Sequence, residues 1–351
     1  MFEIGNTLSF NKDKLVDGNR YDYVTRTSFN QGILQTTGFV NEENINPSGT
    51  WSLGLLQMDF FYRKKPWYAG QFVRIISAKI DIPSGAIPFI TTILNSQKRV
   101  FLSVLVRNVD KTFNNLKVNL PIKNGEIDFE FMESFVAELE AQRVAELEAY
   151  LLATGLKDYE LTDKEKQAIY EIDKIQWKEF NLIDVFNVKN TKNILSTQVE
   201  LNSGNTPYLC ASAENNGVSS YITFNDLYID KGNCIFIGGK TFTVSYQKED
   251  FYSNDSHNLA LYLICEDMIT EKNQLYMATC IKKGLGHKYS WGNSISNKKI
   301  QTDTIMLPVH DKHVDYLYME TLISAIQKLV IRDVVIFADR RIEATKQVID
   351  S

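Results

Sequence analysis

Residues 120–153 read LPIKNGEIDFEFMESFVAELEAQRVAELEAYLLA, and residues 307–340 read LPVHDKHVDYLYMETLISAIQKLVIRDVVIFADR. The two segments match at one constant offset of 187. Leu120-Pro121-Ile122 falls on Leu307-Pro308-Val309, Asp128-Phe129 on Asp315-Tyr316, and Met132-Glu133 on Met319-Glu320. One shared dipeptide would be chance, but a collinear set at a single offset is an internal repeat. In the first copy Phe131, Phe135, Leu139, Val144, Leu147 and Leu151 recur three to five apart, with Glu133, Glu138, Glu140, Glu146 and Glu148 between them. That is the period of an amphipathic helix, about 40 Å long, and Gly155 supplies its C-terminal stop. The second copy continues through Ile323, Ile326, Val330, Val334 and Phe337 at the same spacing.

The repeat extends upstream of both helices. Residues 23–33 align without gaps on 208–218 at an offset of 185, placing Tyr23 on Tyr208, Asn30 on Asn215 and Gly32 on Gly217. Tyr62, Lys64 and Tyr68 align with Tyr246, Lys248 and Tyr252 at an offset of 184, with Trp67 opposite Phe251. Between these landmarks the pattern is one of short strands and glycine turns. Residues 22–25, 72–76 and 100–106 read as strands in the first half, and 206–209, 234–237 and 259–264 in the second. A further helix is expected over 163–175, its start fixed by a capping box of Thr162 and Glu165. The fold class that follows is α+β, with two tandem strand-rich domains, each followed by a long helix. The apolar stripes of the two helices would pair as an antiparallel coiled coil. The expected boundaries are 1–119 and 177–306 for the two domains, with helical spacers over 120–176 and 307–351.

Composition narrows the function. The chain has 351 residues, 44% of them apolar and 12% aromatic, which suits two folded domains and excludes disorder. It contains no run of 18 apolar residues and no basic amino-terminal region leading into an apolar core, so a cytoplasmic protein without a membrane partner is expected. Cys210, Cys234, Cys265 and Cys280 stand too far apart for a CxxC metal or redox motif, and read as reduced thiols. The net charge of −5 is uneven, because residues 126–174 carry fourteen acidic and five basic side chains, or −9, leaving the rest of the chain at +4. Whole-chain acidity therefore does not exclude DNA. Two similar domains set about 40 Å apart would face one side of B-DNA about one helical turn, about 34 Å, from each other.

The run Gly204-Asn205-Thr206-Pro207-Tyr208-Leu209, continuing through Ala211-Ser212-Ala213-Glu214-Asn215-Asn216-Gly217-Val218 and later Gly232-Asn233-Cys234-Ile235, resembles a known family. It is similar to the target-recognition domains of type I restriction-modification specificity (S) subunits. Tyr23-Val24-Thr25-Arg26-Thr27 with Asn30-Gln31-Gly32-Ile33 shows the same likeness in the first half. The segment after Gly125, ending in Thr154-Gly155-Leu156 and Asp158-Tyr159, looks like the S subunits of type IIB systems. Thr25-Arg26-Thr27 becomes Cys210-Ala211-Ser212 in the second copy, a departure between the two halves. The resemblance implies a non-catalytic subunit that reads double-stranded DNA in two half-sites. Its helices would set the gap and dock methyltransferase (M) and endonuclease (R) subunits, or a fused R-M subunit.

On that reading Asn30, Gln31, Asn215 and Asn216 are amides able to bond an adenine edge, and Arg26 could bond guanine. Thr25 and Ser212 belong to the same DNA-facing stretches. Arg20, Lys64, Lys65, Lys240, Lys248 and Lys288 are candidates for phosphate contacts. Met132, Phe135, Leu139 and Leu147 on the first helix, and Met319, Ile323, Ile326 and Val330 on the second, are the expected spacer and docking positions.

Plainer readings compete at several positions. Asn215-Asn216-Gly217 also makes a good hairpin turn, and Trp67, Tyr68, Phe251 and Tyr252 read more naturally as core than as a DNA surface. Gly238-Gly239-Lys240-Thr241 lacks the first glycine of a phosphate loop, since position 234 is Cys. His310 and His313 could hold a metal by spacing, but Lys123 and Glu126 replace them in the first copy, so a solvated helix start is expected. No cofactor loop, metal site or catalytic constellation is recognisable. The residues alone leave two rivals, a self-contained nuclease and a protein-binding scaffold.

Overall fold

In both copies of the repeat the chain turns a tight hairpin before it enters the long helix. In the computed structural model, which describes residues 1–104 and 106–349, Lys123 pairs with Glu126 and His310 with His313. Asn124-Gly125 and Asp311-Lys312 occupy the turns with positive φ, as a two-residue hairpin of this hand requires. The amides of Asp128 and Asp315 then donate to the Pro121 and Pro308 carbonyls, each at 2.9 Å. Each aspartate carboxylate accepts from a backbone N–H three residues on, Phe131 or Tyr318, at 2.9 Å. Such caps satisfy amides that a helix start leaves unpaired. The helices run Phe129–Ala153 and Tyr316–Ile349. Two expectations are corrected here: residues 122–127 are hairpin rather than helix, and His310 and His313 face each other across a hairpin rather than opening a helix.

Among the described residues, those up to 147 together with 341–349 form one compact unit, and residues 148–340 the other. The first unit contains β1 (Phe2–Asn6), β2 (Tyr21–Val24), β3 (Ile33–Thr37), β4 (Ile45–Asn46) and β5 (Thr50–Gly54). It continues with β6 (Asp59–Arg63), β7 (Trp67–Ala69), β8 (Val73–Ala78), α1 (Ile87–Ser96), α2 (Lys98–Leu102) and α3 (Val109–Asn115). The hairpin strands β9 (Ile122–Lys123) and β10 (Glu126–Ile127) lead into α4 (Phe129–Ala153). After α5 (Asp163–Tyr170) come β11 (Trp177–Asn181), α6 (Leu182–Val185), β12 (Phe186–Asn190), β13 (Thr206–Leu209) and β14 (Val218–Ile222). The second unit continues with β15 (Cys234–Gly238), β16 (Thr243–Gln247), β17 (Tyr252–Ser253), β18 (Leu259–Leu263), α7 (Glu271–Leu285) and α8 (Asn297–Ile300). It closes with β19 (Thr304–His310), β20 (His313–Val314) and α9 (Tyr316–Ile349).

The sheets repeat as the sequence does. A four-stranded sheet in the order β1-β8-β5-β6 recurs as β12-β18-β15-β16, and β3-β2-β7 recurs as β14-β13-β17. In the latter the one parallel ladder sets Tyr23 against Tyr68 and Tyr208 against Tyr252. The register slips by a bulge after Tyr23 and again after Tyr208. A bulge inserts an unpaired residue and re-aims the strand, and it falls at the same place in β2 and β13, just before the loop that follows each. The hydroxyls of Tyr23 and Tyr208 donate to the Phe10 and Ile194 carbonyls, both at 2.6 Å.

The central strands β5 and β15 are buried on both faces. One face of β5 sends Trp51 and Leu53 into a core with Phe60, Ile76, Ile90, Phe101 and Met132. Ile235 and Ile237 of β15 enter a core with Leu261, Met277, Ile281, Ile305 and Met319. Met132 and Met319, expected at spacer or docking positions, are fully buried and anchor their helices to these cores. Trp67, Tyr68, Phe251 and Tyr252 are buried, as the core reading expected.

Two further expectations are corrected. Residues 98–102 form α2 rather than a strand, because Phe101 packs on Phe60 at 5.6 Å while Val100 and Leu102 face solvent. The helix expected over 163–175 ends at Tyr170, although its Thr162–Glu165 capping box is present with both bonds made. The long helices also bury fewer positions than their period suggested. Leu151, Ala325, Val335 and Ala338 are sealed, whereas Phe131, Phe135, Leu139, Ile326 and Val330 stay 42–74% exposed. Leu147 and Ile323 are half-buried. In the second unit Lys157 bonds both Glu148 and Asp339, and Lys328 bonds Asp158 and Glu165, so ionic contacts bind α9 to the end of α4 and to α5.

Candidate nucleic-acid interface

The bulge in each parallel ladder delivers the chain into a loop, residues 25–32 in the first domain and 210–217 in the second. The loops close with the same bond, from the Thr25 amide to the Gly32 carbonyl and from the Cys210 amide to the Gly217 carbonyl, both at 2.8 Å. The hydroxyls of Thr27 and Ser212 accept from the amides of Phe29 and Glu214, at 3.2 and 3.1 Å. The side-chain amides of Asn30 and Asn215 donate to the carbonyls of Ile33 and Val218, at 3.1 and 2.9 Å. Asn30, Gln31 and Gly32 have φ of 46°, 53° and 78°, and Asn215, Asn216 and Gly217 have 46°, 53° and 81°. Three successive left-handed residues are costly for an L-chain, and asparagine and glycine tolerate that region best. The repeat therefore holds at the level of single backbone angles.

A fourth bond comes from the neighbouring strand. Strand alternation sends Arg63 of β6 and Gln247 of β16 toward the loop, where they donate to the backbone carbonyls of Gln31 and Asn216. Arg63 also donates to the Ser52 hydroxyl from Nε and Nη2, at 2.9 and 2.6 Å. Arg63 is 1% exposed, and burial lowers its pKa from the usual 12.5 to about 10. At that value it is still charged at neutral pH, so the loop carbonyl receives a charge-assisted bond. Gly54 and Gly238 let the backbone of Arg26 and Ala211 approach closely, since a Cβ there would lie 2.9 and 2.7 Å from their Cα atoms.

Exposed at these loops are Phe29, at 85% of its surface, with Asn30, Gln31, Glu214, Asn215 and Asn216. Arg26 lies over the ring of Phe72 at 5.1 Å, and Arg20 over Tyr21 at 5.4 Å. Thr25 is half-buried and also donates weakly to the Gly32 carbonyl at 3.4 Å. Arg26, Thr25, Asn30 and Gln31 thus belong to one domain's loop face and Ser212, Asn215 and Asn216 to the other's, whereas Arg20 stands at the opposite end of β2 from the loop.

The remaining lysines separate from the loops. The alternation that turns Arg63 inward turns Tyr62 and Lys64 to the opposite face, where they line a cavity with Glu133, Glu140 and Arg341. Lys248 likewise approaches Glu271 at the start of α7, at 4.0 Å. Lys65 donates to the Asn19 carbonyl at 3.4 Å. Lys240 pairs with Asp255 at 2.6 Å; burial raises that carboxylate, but bonds from Lys240 and His257 bring it down to about 2. Lys288 pairs with the buried Asp303, which also accepts from the Tyr289 hydroxyl at 2.6 Å. Lys240 and Lys288 are therefore already neutralised within the domain, which weakens the case for either as a phosphate contact. Among the described residues no group of three His, Cys, Asp or Glu is placed to hold a metal, and no helix is long and apolar enough to cross a membrane.

Sequence reasoning missed Phe29, Glu214, Arg63 and Gln247. The signal was present, since Arg63 and Gln247 sit at the same offset of 184 as the flanking Tyr62/Tyr246 and Lys64/Lys248.

The sequence profile described as the type I restriction modification DNA specificity domain matches residues 1–149 and 174–334. The chain belongs to this family. It carries two such domains in tandem and is a sequence-specificity subunit without a catalytic role of its own. It is 20% identical over 334 residues to the specificity subunit S.BcgI of a type II restriction enzyme of Heyndrickxia coagulans, covering 93% of this chain and 92% of that one. Its fold is similar to that of the S subunit of a type I restriction-modification system from M. genitalium. The TM-score there is 0.55 at 13% identity, covering 99% of this chain and 91% of the other.

Proposed function

We propose that this subunit reads a bipartite duplex site, one block with each domain, and assembles in the cytoplasm with methyltransferase and endonuclease subunits, or with a fused chain carrying both activities. Residues 1–119 and 177–306 are the readers, and residues 120–176 and 307–351 the spacers. The observation that carries the reading is the pair of exposed loops, 25–32 and 210–217, matched in backbone angles and anchoring bonds but unlike in their side chains. A duplicated scaffold with diverged exposed side chains suits two independent recognitions. Arg20, Arg26 and Lys65, which make no ion pair among the described residues, supply positive charge for phosphates on the first domain. The exposed Phe135, Leu139, Ile326 and Val330 are docking positions on the helices.

The test is to co-express the chain with a methyltransferase subunit that assembles with it and to map methylated bases on plasmid DNA. Two short blocks at a fixed spacing are expected. A complex that forms and methylates without sequence preference would overturn the proposal and favour a scaffold role.

A further inference from the structure

The two loops make the same internal bonds, so their side chains divide into those that hold the loop and those that remain free. The Nδ2 groups of Asn30 and Asn215 are committed to the carbonyls of Ile33 and Val218, and Nδ2 of Asn216 to the Tyr246 carbonyl. Bidentate reading of an adenine edge needs both the donor and the acceptor of a carboxamide, so these three asparagines are poorly disposed to it. By contrast, among the described residues the exposed carboxamide of Gln31 and the exposed carboxylate of Glu214 have no partner, and the ring of Phe29 is bare. Phe29 and Glu214 also occupy one and the same loop position: each follows the hydroxyl residue that accepts its amide and precedes the asparagine that holds the loop.

Building on the specificity reading above, we propose that Phe29 and Gln31 read bases for the first domain and Glu214 for the second, while Asn30 and Asn215 only position the loops. The chemistry assigns the bases. Gln31 offers one donor and one acceptor, the complement of adenine N7 and N6 in the major groove, and Phe29 suits the methyl of a thymine. Glu214 offers acceptors only, the complement of the cytosine N4 amino group. The half-sites therefore differ: the first contains a required adenine, and the second a required cytosine.

The test is selection from a random duplex pool by the full-length chain in complex with its methyltransferase, comparing wild type with Gln31→Glu, Glu214→Gln and Asn215→Asp. These substitutions are on the surface and nearly isosteric, so folding is preserved. Gln31→Glu should move one position of the first block from adenine to cytosine. Glu214→Gln should move one position of the second block from cytosine to adenine. Each should change base preference by roughly 5- to 150-fold, the range of one bidentate contact. Asn215→Asp should weaken selection of the second block without altering its bases. Unchanged base preference in both exchange variants overturns the assignment while leaving the specificity reading standing, as would a wild-type motif lacking the assigned bases. A base change in Asn215→Asp would overturn the division of labour. Failure of wild type to select any motif would instead refute the specificity reading itself.

Discussion

The loops stand on two glycines whose conformations can be weighed directly. Gly32 and Gly217 have φ of 78° and 81°, a region that costs an L-residue about 1–2 kcal/mol. A Cβ on Gly32 would lie 3.1 Å from the Thr25 carbonyl oxygen, 3.3 Å from the Thr27 carbonyl oxygen and 3.3 Å from Nη2 of Arg63. All three belong to the bonded frame of the loop, so little can give way, and crowding adds about 1 kcal/mol more. On Gly217 only the Cys210 carbonyl oxygen, at 3.2 Å, is close; the next atom is 3.8 Å away. Gly32→Ala should therefore cost about 2–3 kcal/mol and Gly217→Ala about 1–2 kcal/mol. For domains of this size each kcal/mol lowers Tm by about 2–4 °C. Scanning calorimetry of the full chain should show a fall of roughly 4–12 °C for Gly32→Ala in the transition of the first unit. Gly217→Ala should lower the transition of the second unit by less. Each variant should weaken selection of one DNA block and spare the other. A Gly32→Ala protein that melts within about 1 °C of wild type would refute the account of the loop as a strained, bond-locked scaffold.

Further outcomes concern caps and charge. Asp128→Ala and Asp315→Ala each remove the side-chain cap of a long helix, and should each cost about 1 kcal/mol in chemical denaturation. Burial raises the carboxyl of Glu165, but bonds from Thr162, Ser324 and Lys328 outweigh it and lower its pKa from 4.5 to about 2. Its stabilising contribution is thus complete above about pH 4.5 and is lost as pH falls through about 2. Glu165→Gln should lower stability at pH 7 and flatten acid unfolding across that window, as followed by circular dichroism. Burial raises Asp230 from 3.8 to about 6 against the opposing bond from the Lys192 amide. Here the folded chain holds the proton more tightly, so wild-type stability falls as pH rises from about 4 to 6. Asp230→Asn keeps an acceptor for that amide and should raise Tm at pH 7; a lower Tm would contradict the assignment.

Much of the fold was legible because the repeat preserved residues that make backbone structure. Leu120-Pro121 and Asp128 are shared because the hairpin-to-helix entry needs the proline carbonyl and the carboxylate cap. Tyr23 and Tyr208 are shared because each hydroxyl closes a buried bond. Residues 98–102 misled because Val100, Phe101 and Leu102 form an apolar run that suits either a strand or a buried helix turn. The helix stripes misled in a similar way: periodicity identifies a face but not how much of it is covered. At the loops, residue type pointed to the asparagines, but a carboxamide bonded to its own backbone looks the same in sequence as a free one. That distinction lies in the folded structure, as does the inward turn of Arg63 beside the outward turn of Lys64.

The central claim is that each domain reads its own block. The most direct measurement replaces residues 1–119 with the corresponding domain of a family member that recognises a different site, and maps the sequence methylated by the resulting complex. The account predicts that one block changes while the other block and the gap between them persist. A change in both blocks, or in neither, would contradict it.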